Sequence, residues 1–172
     1  DGSTTQRDRP ATVRALSGAT QIATRWNHTC VRTGSGTVLC WGANSWGQLR
    51  GDGSTGDANE PTTVPGVTAE EIRTGTNFTC VRLVDRSAEC WGSSYYGQLG
   101  NGSTSAILDA IARMPVVGLA DTEELALGWE HACARRTGGT LSCWGRNSDG
   151  RLGTGDEMQR TAPADVVPPP PL

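Results

Sequence analysis

An all-β repeat fold is what this sequence predicts, and three observations predict it. A unit of about fifty residues recurs three times, each copy divides into about four short strand-like segments, and glycine and proline punctuate the joints. The 172 residues include 23 Gly and 9 Pro, with little charge and a run of short patterned segments, the composition of an all-β chain rather than a disordered one. No apolar run reaches the roughly 18 residues that a membrane helix needs, so no membrane insertion is expected. Net charge is −3 and every cation is arginine. That leaves no basic stripe for a nucleic acid, and none is expected as a partner.

The elements follow in the same order in each copy. A short strand comes first, at residues 21–24, 71–73 and 124–127. A cysteine-bearing strand follows, carrying His28-Thr29-Cys30-Val31-Arg32, Phe78-Thr79-Cys80-Val81-Arg82 or His131-Ala132-Cys133-Ala134-Arg135. A three-residue turn then leads to a strand ending in Cys-Trp-Gly: Cys40-Trp41-Gly42, Cys90-Trp91-Gly92 and Cys143-Trp144-Gly145. A glycine-rich loop and a proline-punctuated stretch close the copy. Four antiparallel strands per copy are what one β-propeller blade requires. The opening Asp1-Gly2-Ser3-Thr4 matches Asp52-Gly53-Ser54-Thr55 and Asn101-Gly102-Ser103-Thr104, so the chain starts inside a fourth copy whose last strand is expected over residues 9–16. The expected organisation is residues 1–20 as the end of a preceding repeat, blades at 21–67, 68–119 and 120–167, and a proline-rich tail at 168–172. Three blades fall short of the roughly four to eight that close a propeller. The expectation is a partial propeller, preceded by further copies or completed by oligomerisation.

The six cysteines are spaced identically, with ten positions separating the two members of each copy. With a three-residue turn between them they fall opposite one another on neighbouring strands, within reach of a disulfide. The pairs expected are Cys30–Cys40, Cys80–Cys90 and Cys133–Cys143, with buried thiol pairs as the alternative. Oxidation would place the protein outside the cytosol, in an extracellular, periplasmic or cell-surface setting. A metal is not expected. His28 and Cys30 share a strand face with Cys40 opposite, as His131 and Cys133 do with Cys143, which would allow a zinc hydrolase as a remote alternative. The second copy, however, keeps both cysteines and carries Phe78 in place of the histidine.

These residues resemble the repeats of the regulator of chromosome condensation family. The pattern is carried by His28-Thr29-Cys30, Cys40-Trp41-Gly42-Ala43-Asn44 and Gly47-Gln48-Leu49, and by their counterparts in the other copies. The resemblance implies a β-propeller, commonly seven-bladed, that acts by presenting a face or loops to a protein partner. The cysteine-rich version is most similar to repeats of secreted and surface-attached bacterial proteins. Phe78, Arg25, Thr76 and the inserted Arg50 depart from the pattern, and Arg50 is expected to shift its loop by one residue.

No nucleophile motif, phosphate loop or cofactor fingerprint accompanies the repeat, so no enzyme, catalytic residue or cofactor is expected. The Asp-Gly-Ser-Thr segments could coordinate calcium through carboxylate and carbonyl oxygens, but plain turns are expected there. Function is sought instead where the copies differ. Trp46 stands where Tyr96 and Asp149 stand in the other copies, Tyr95 lies beside Tyr96, and Trp26 and Trp129 flank the shorter Thr76. Loop aromatics on a rigid scaffold are enriched in binding hot spots. Trp26, Trp46, Tyr95, Tyr96, Trp129 and Asp149 are therefore the candidate partner contacts, with packing between blades as the alternative. The expected function is a non-enzymatic protein-binding module for an unidentified partner. A structural subunit, assembling with copies of itself or within a larger complex, is the alternative.

Overall fold

The computed structural model describes residues 1–106 and 109–168. Each copy forms one four-stranded antiparallel sheet. The first comprises β1 (Ala19–Arg25), β2 (His28–Thr33), β3 (Val38–Gly42) and β4 (Ala58–Thr63). The second comprises β5 (Ala69–Thr74), β6 (Phe78–Leu83), β7 (Ala88–Gly92) and β8 (Ile111–Pro115). The third comprises β9 (Thr122–Leu127), β10 (His131–Arg136), β11 (Leu141–Gly145) and β12 (Arg160–Asp165). Strands follow one another in chain order across each sheet, and β5 packs against both β1 and β9. This is a run of propeller blades with their first strands gathered along one edge. Among the described residues no helix is long and apolar enough to cross a membrane.

The cysteine spacing fixes the register. Cys30 opposes Cys40, Cys80 opposes Cys90 and Cys133 opposes Cys143. Their Cα atoms lie 4.0–4.1 Å apart, near the close spacing of a non-hydrogen-bonded antiparallel pair, and each pair is a disulfide. The glycine after each tryptophan is a geometric requirement. Gly42, Gly92 and Gly145 hold φ of 101–108°, and a Cβ there would lie 2.3–2.5 Å from the carbonyl oxygen of Asn27, Asn77 or Glu130. Only glycine lets the third strand come this close to the turn before the second.

The blades are joined by a seam that repeats from one pair to the next. Trp91 Nε1 donates to Gln48 O and Trp144 Nε1 to Gln98 O, both at 2.9 Å. The Ile72 amide donates to Gln21 Oε1 at 3.0 Å and the Leu125 amide to Glu71 Oε2 at 3.1 Å. Around these bonds the disulfide face of one blade packs on the tryptophan face of the next. Cys30, Cys40, Val38 and Leu49 meet Ile72, Val81 and Trp91; Cys80, Cys90, Ala88 and Leu99 meet Leu125, Ala134 and Trp144. Burial of apolar area at about 25 cal/mol per Å² stabilises such a contact, and the indole bond sets its register.

A second position on the seam varies in a matched way. Thr79 Oγ1 donates to Gln48 O at 2.8 Å. It must then accept from His28 Nε2, 3.0 Å away, which puts the imidazole proton on Nε2 and leaves buried Nδ1 without a partner. Burial lowers the His28 pKa to about 4. At the next seam the histidine becomes Phe78 and the threonine becomes Ala132, both fully buried. The departure of Phe78 from the repeat pattern is thus compensated on the facing blade, and an apolar pair replaces a polar one.

One sequence expectation changes. Residues 9–16 form no strand. The last strand of every sheet pairs with a Cys-Trp-Gly strand, and among the described residues no such strand lies beside residues 9–16. The preceding copy's turn is nevertheless seated, for Asn59 Nδ2 donates to Gly2 O at 3.1 Å. Trp41 is only partly buried, whereas its counterparts Trp91 and Trp144 are fully so. Its face of blade one has no blade against it, and Ile22 is accordingly 67% exposed where Ile72 is 0% and Leu125 is 1%. The proline-rich tail falls at residues 168–172, of which 169–172 lie outside the described residues. Arg50 does shift its loop by one, since Gly51, Gly100 and Gly153 share φ of 66–67°.

Candidate functional site

The turns between the first and second strands and the long loops after the third strands all emerge at one end of the sheets. Each long loop is clasped by a buried polar side chain. Asn44 Oδ1 accepts from the Leu49 amide at 2.8 Å while its Nδ2 donates to Ser54 O at 2.8 Å. Asn147 repeats the clasp with the Leu152 amide and Asp156 O, and Ser94 with Ser103 O. The Asp-Gly-Ser-Thr segments inside these loops are Asx turns, with Asp52 Oδ1 accepting from the Ser54 amide at 2.8 Å. Gln48 Oε1 then accepts from the Trp46 amide at 3.0 Å, and Gln98 Oε1 from the Tyr96 amide at 2.8 Å. These bonds fix the backbone that carries the aromatic rings.

Four of the expected contact residues come together. Trp46, Tyr95, Tyr96 and Trp129 line one pocket of about 150 Å³ with Thr76, Asn77, Ser93, Gln98 and Glu130. All three blades contribute. Trp26 stands beside it, its ring 6.3 Å from that of Trp129 at an interplanar angle of 68°. Trp26 reaches over because its backbone adopts φ of 56°, a left-handed conformation that is uncommon for a bulky residue. Trp26 is 68% exposed and Trp129 60%, so this pair lies open to solvent. Tyr95 and Tyr96 meet edge to face at 4.8 Å.

Asp149 does not join them. Its carboxylate pairs with Arg151, which holds it below the usual carboxylate range. Arg151 occupies the position of Gln48 and Gln98, and this ion pair shapes the third loop in place of the glutamine clasp. Sequence reasoning missed Arg146, whose guanidinium lies 4.9 Å from the centre of the Tyr96 ring and 2.6 Å from Glu130 Oε2. Both Arg146 and Glu130 replace uncharged residues at matching positions of the other copies, Ala43 and Ser93 or Asn27 and Asn77. A comparison of copies for charge as well as for aromatics would have found them.

The histidine and cysteine sets are otherwise engaged. All six sulfurs are in disulfides, and His28 Nε2 is bonded to Thr79. His131 lies at the outer face of blade three, over Gly128. Burial, with Arg151 and Arg25 nearby, lowers its pKa. Along the first strands runs a second polar surface of paired charges, including Glu71–Arg73 at 2.7 Å and Glu70–Arg82 at 2.5 Å.

Comparison with known proteins agrees with the repeat. Family models described as regulator of chromosome condensation (RCC1) repeat match residues 19–48 and 123–151 and residues 35–82. Among solved structures, human WBSCR16 superposes with a TM-score of 0.79 at 21% identity, over 93% of this chain and 41% of that one. Prp20p from Saccharomyces cerevisiae, described with its binding properties to Gsp1p and histones, superposes with a TM-score of 0.77 at 18% identity, over 90% of this chain and 40% of that one. Yeast RCC1 (Prp20) bound to Kap60 gives 0.77 at 19% identity, over 90% and 39%. The chain spans about two fifths of the length of these structures.

Proposed function

The chain belongs to the regulator of chromosome condensation (RCC1) repeat family, and on that premise we propose that it is a non-enzymatic protein-binding propeller module, with residues 21–67, 68–119 and 120–167 as its blades. The observation that carries this reading is the convergence of Trp46, Tyr95, Tyr96 and Trp129, from three blades, on one pocket beside the exposed Trp26. Contiguous exposed aromatics on a rigid scaffold mark interaction sites. The Prp20 structures are described with protein partners, and a protein partner is the corresponding reading here. Three disulfides support a setting outside the cytosol, extracellular, periplasmic or cell-surface, and the resemblance of the cysteine-rich repeats suggests a bacterial secreted or surface protein. The six sulfurs, held in disulfides, are not available as zinc-binding thiolates.

The test replaces Trp26, Trp46, Tyr95, Tyr96 and Trp129 by alanine together and compares capture of secreted proteins with the parent chain and with a Val84→Ala control. Loss of a captured partner from the five-alanine variant alone is expected. Equal capture by all three chains would refute the site.

One observation favours a second reading, in which the module also assembles through its outer faces. Ile22 is 67% exposed on blade one and Leu141 45% on blade three, whereas their inner counterparts are buried. Native mass in non-reducing solution tests it: a multiple of the chain mass supports assembly, and a single chain overturns it.

A further inference from the structure

We infer that the aromatic pocket takes a proline-rich segment in the polyproline II conformation, a reading that rests on the proposed partner-binding role of this end of the fold. The size of the pocket speaks first. At about 150 Å³ it falls well below the roughly 300–1,000 Å³ of sites that enclose a whole small molecule or cofactor. It admits one or two side chains of something longer that continues over the surface. The continuation is supplied by the Trp26–Trp129 pair, whose rings form an open step beside the pocket.

Charge comes next. The ionic groups at the pocket neutralise each other, with Glu130 bound to Arg146 at 2.6 Å and Arg146 spent on the face of Tyr96. The pocket lining therefore offers no unpaired charge to an acidic or basic motif, and it fits an uncharged segment.

Hydrogen-bonding capacity then narrows the class. The indole N–H groups of Trp46 and Trp129 can only donate, and both residues line the pocket. The side-chain Oγ1 of Thr76, also in the lining, is buried without a partner. The Gln98 acceptor is taken by the Tyr96 amide at 2.8 Å. The lining thus supplies donors for carbonyl oxygens, two indole N–H groups and the free hydroxyl of Thr76. A proline-rich backbone is the matching ligand, because proline has a carbonyl acceptor and no N–H. Its pre-set helix presents those carbonyls together with flat apolar rings. Aromatic-lined grooves read such segments in this way, and the ligand loses little conformational freedom on binding. The chain itself carries a run of this kind in its sequence, Pro168 to Pro171, which supplies a natural probe.

The experiment titrates the 172-residue chain, followed by tryptophan fluorescence and calorimetry, with a synthetic peptide of the sequence of residues 166–172, with the same peptide after replacement of all four prolines by alanine, and with a neutral oligosaccharide. Saturable binding of the proline peptide is expected, at least tenfold tighter than the alanine peptide and weakened at least tenfold by Trp129→Ala. Trp129→Ala removes an exposed ring and leaves the buried seams untouched, and an unchanged unfolding midpoint verifies that. No binding of the proline peptide, equal binding of the two peptides, or binding of the oligosaccharide alone would overturn the inference. If the proline peptide fails while the five-alanine variant still loses its captured protein, the ligand class falls and the partner-binding role stands. If that variant keeps its partner as well, both fall.

Discussion

The matched change at the blade seams yields a prediction that can be worked through. Phe78 faces Ala132 across the second seam, in the place where His28 faces Thr79 across the first. Phe78→His alone puts an imidazole N–H into a fully buried position with no hydroxyl opposite. An unsatisfied buried donor costs about 1–3 kcal/mol. Ala132→Thr alone inserts a hydroxyl and a methyl group into a packed wall, which costs about 1–3 kcal/mol through overpacking. Together the two changes rebuild the His28–Thr79 pair, with Gln98 O positioned as Gln48 O is to accept from the new threonine. Gly75 leaves room for the ring, as Gly128 does beneath His131. The double variant is therefore expected to be less destabilised than the sum of the single variants by about 1–2 kcal/mol. The assay is urea unfolding at neutral pH with the disulfides intact. Additivity to within about 0.5 kcal/mol would refute the claim that the seam pair is read across blades.

The other predictions concern the same framework. Burial lowers the His28 pKa from 6.5 to about 4, so the unfolded chain binds a proton in this window that the folded chain does not. Stability is then fully present above pH 6.5 and is lost as pH falls toward 4, by about 3 kcal/mol at 1.4 kcal/mol per pH unit; a stability–pH curve that stays flat over this window would contradict it. Replacing Cys80 and Cys90 by alanine opens a ten-residue separation and is expected to lower unfolding free energy by about 2–3 kcal/mol on the loop-entropy estimate, read by denaturant midpoint. Ile72→Ala, at a fully buried seam position, is expected to cost about 2–5 kcal/mol, whereas Ile22→Ala, at the 67% exposed counterpart, should stay within about 0.5 kcal/mol. Equal losses at the two positions would show that the faces do not differ.

The repeat made most of this fold readable before any coordinates. Ten positions between paired cysteines, bracketing a tight turn, put Cys30 opposite Cys40, and that register holds in all three sheets. What resisted reading depends on neighbours far away in the chain. Residues 9–16 have the local pattern of a last strand, but a strand forms only beside a ladder partner, and none lies beside them among the described residues. Trp41 has the same local sequence as Trp91, yet its burial is decided by the blade it faces. Phe78 looks like an isolated departure until Ala132 is placed against it. At the site, aromatics that vary between copies singled out Trp46, Tyr95, Tyr96 and Trp129, which meet in the pocket. Asp149 occupies the equivalent loop position but is drawn to Arg151, because the glutamine of the other copies is an arginine there. Arg146 and Glu130 escaped a search guided by aromatic rings alone.

The most direct test of the account is site-specific photocrosslinking. A photoreactive residue is placed in turn at Ser45, beside Trp46 on the aromatic end, at Ile22 on the outer face of blade one and at Leu141 on the outer face of blade three. The account predicts an adduct to a polypeptide other than this chain from Ser45, lost when Trp26, Trp46, Tyr95, Tyr96 and Trp129 are all alanine. Adducts to the partner from Ile22 or Leu141 alone, with none from Ser45, would contradict it and place binding on the blade faces.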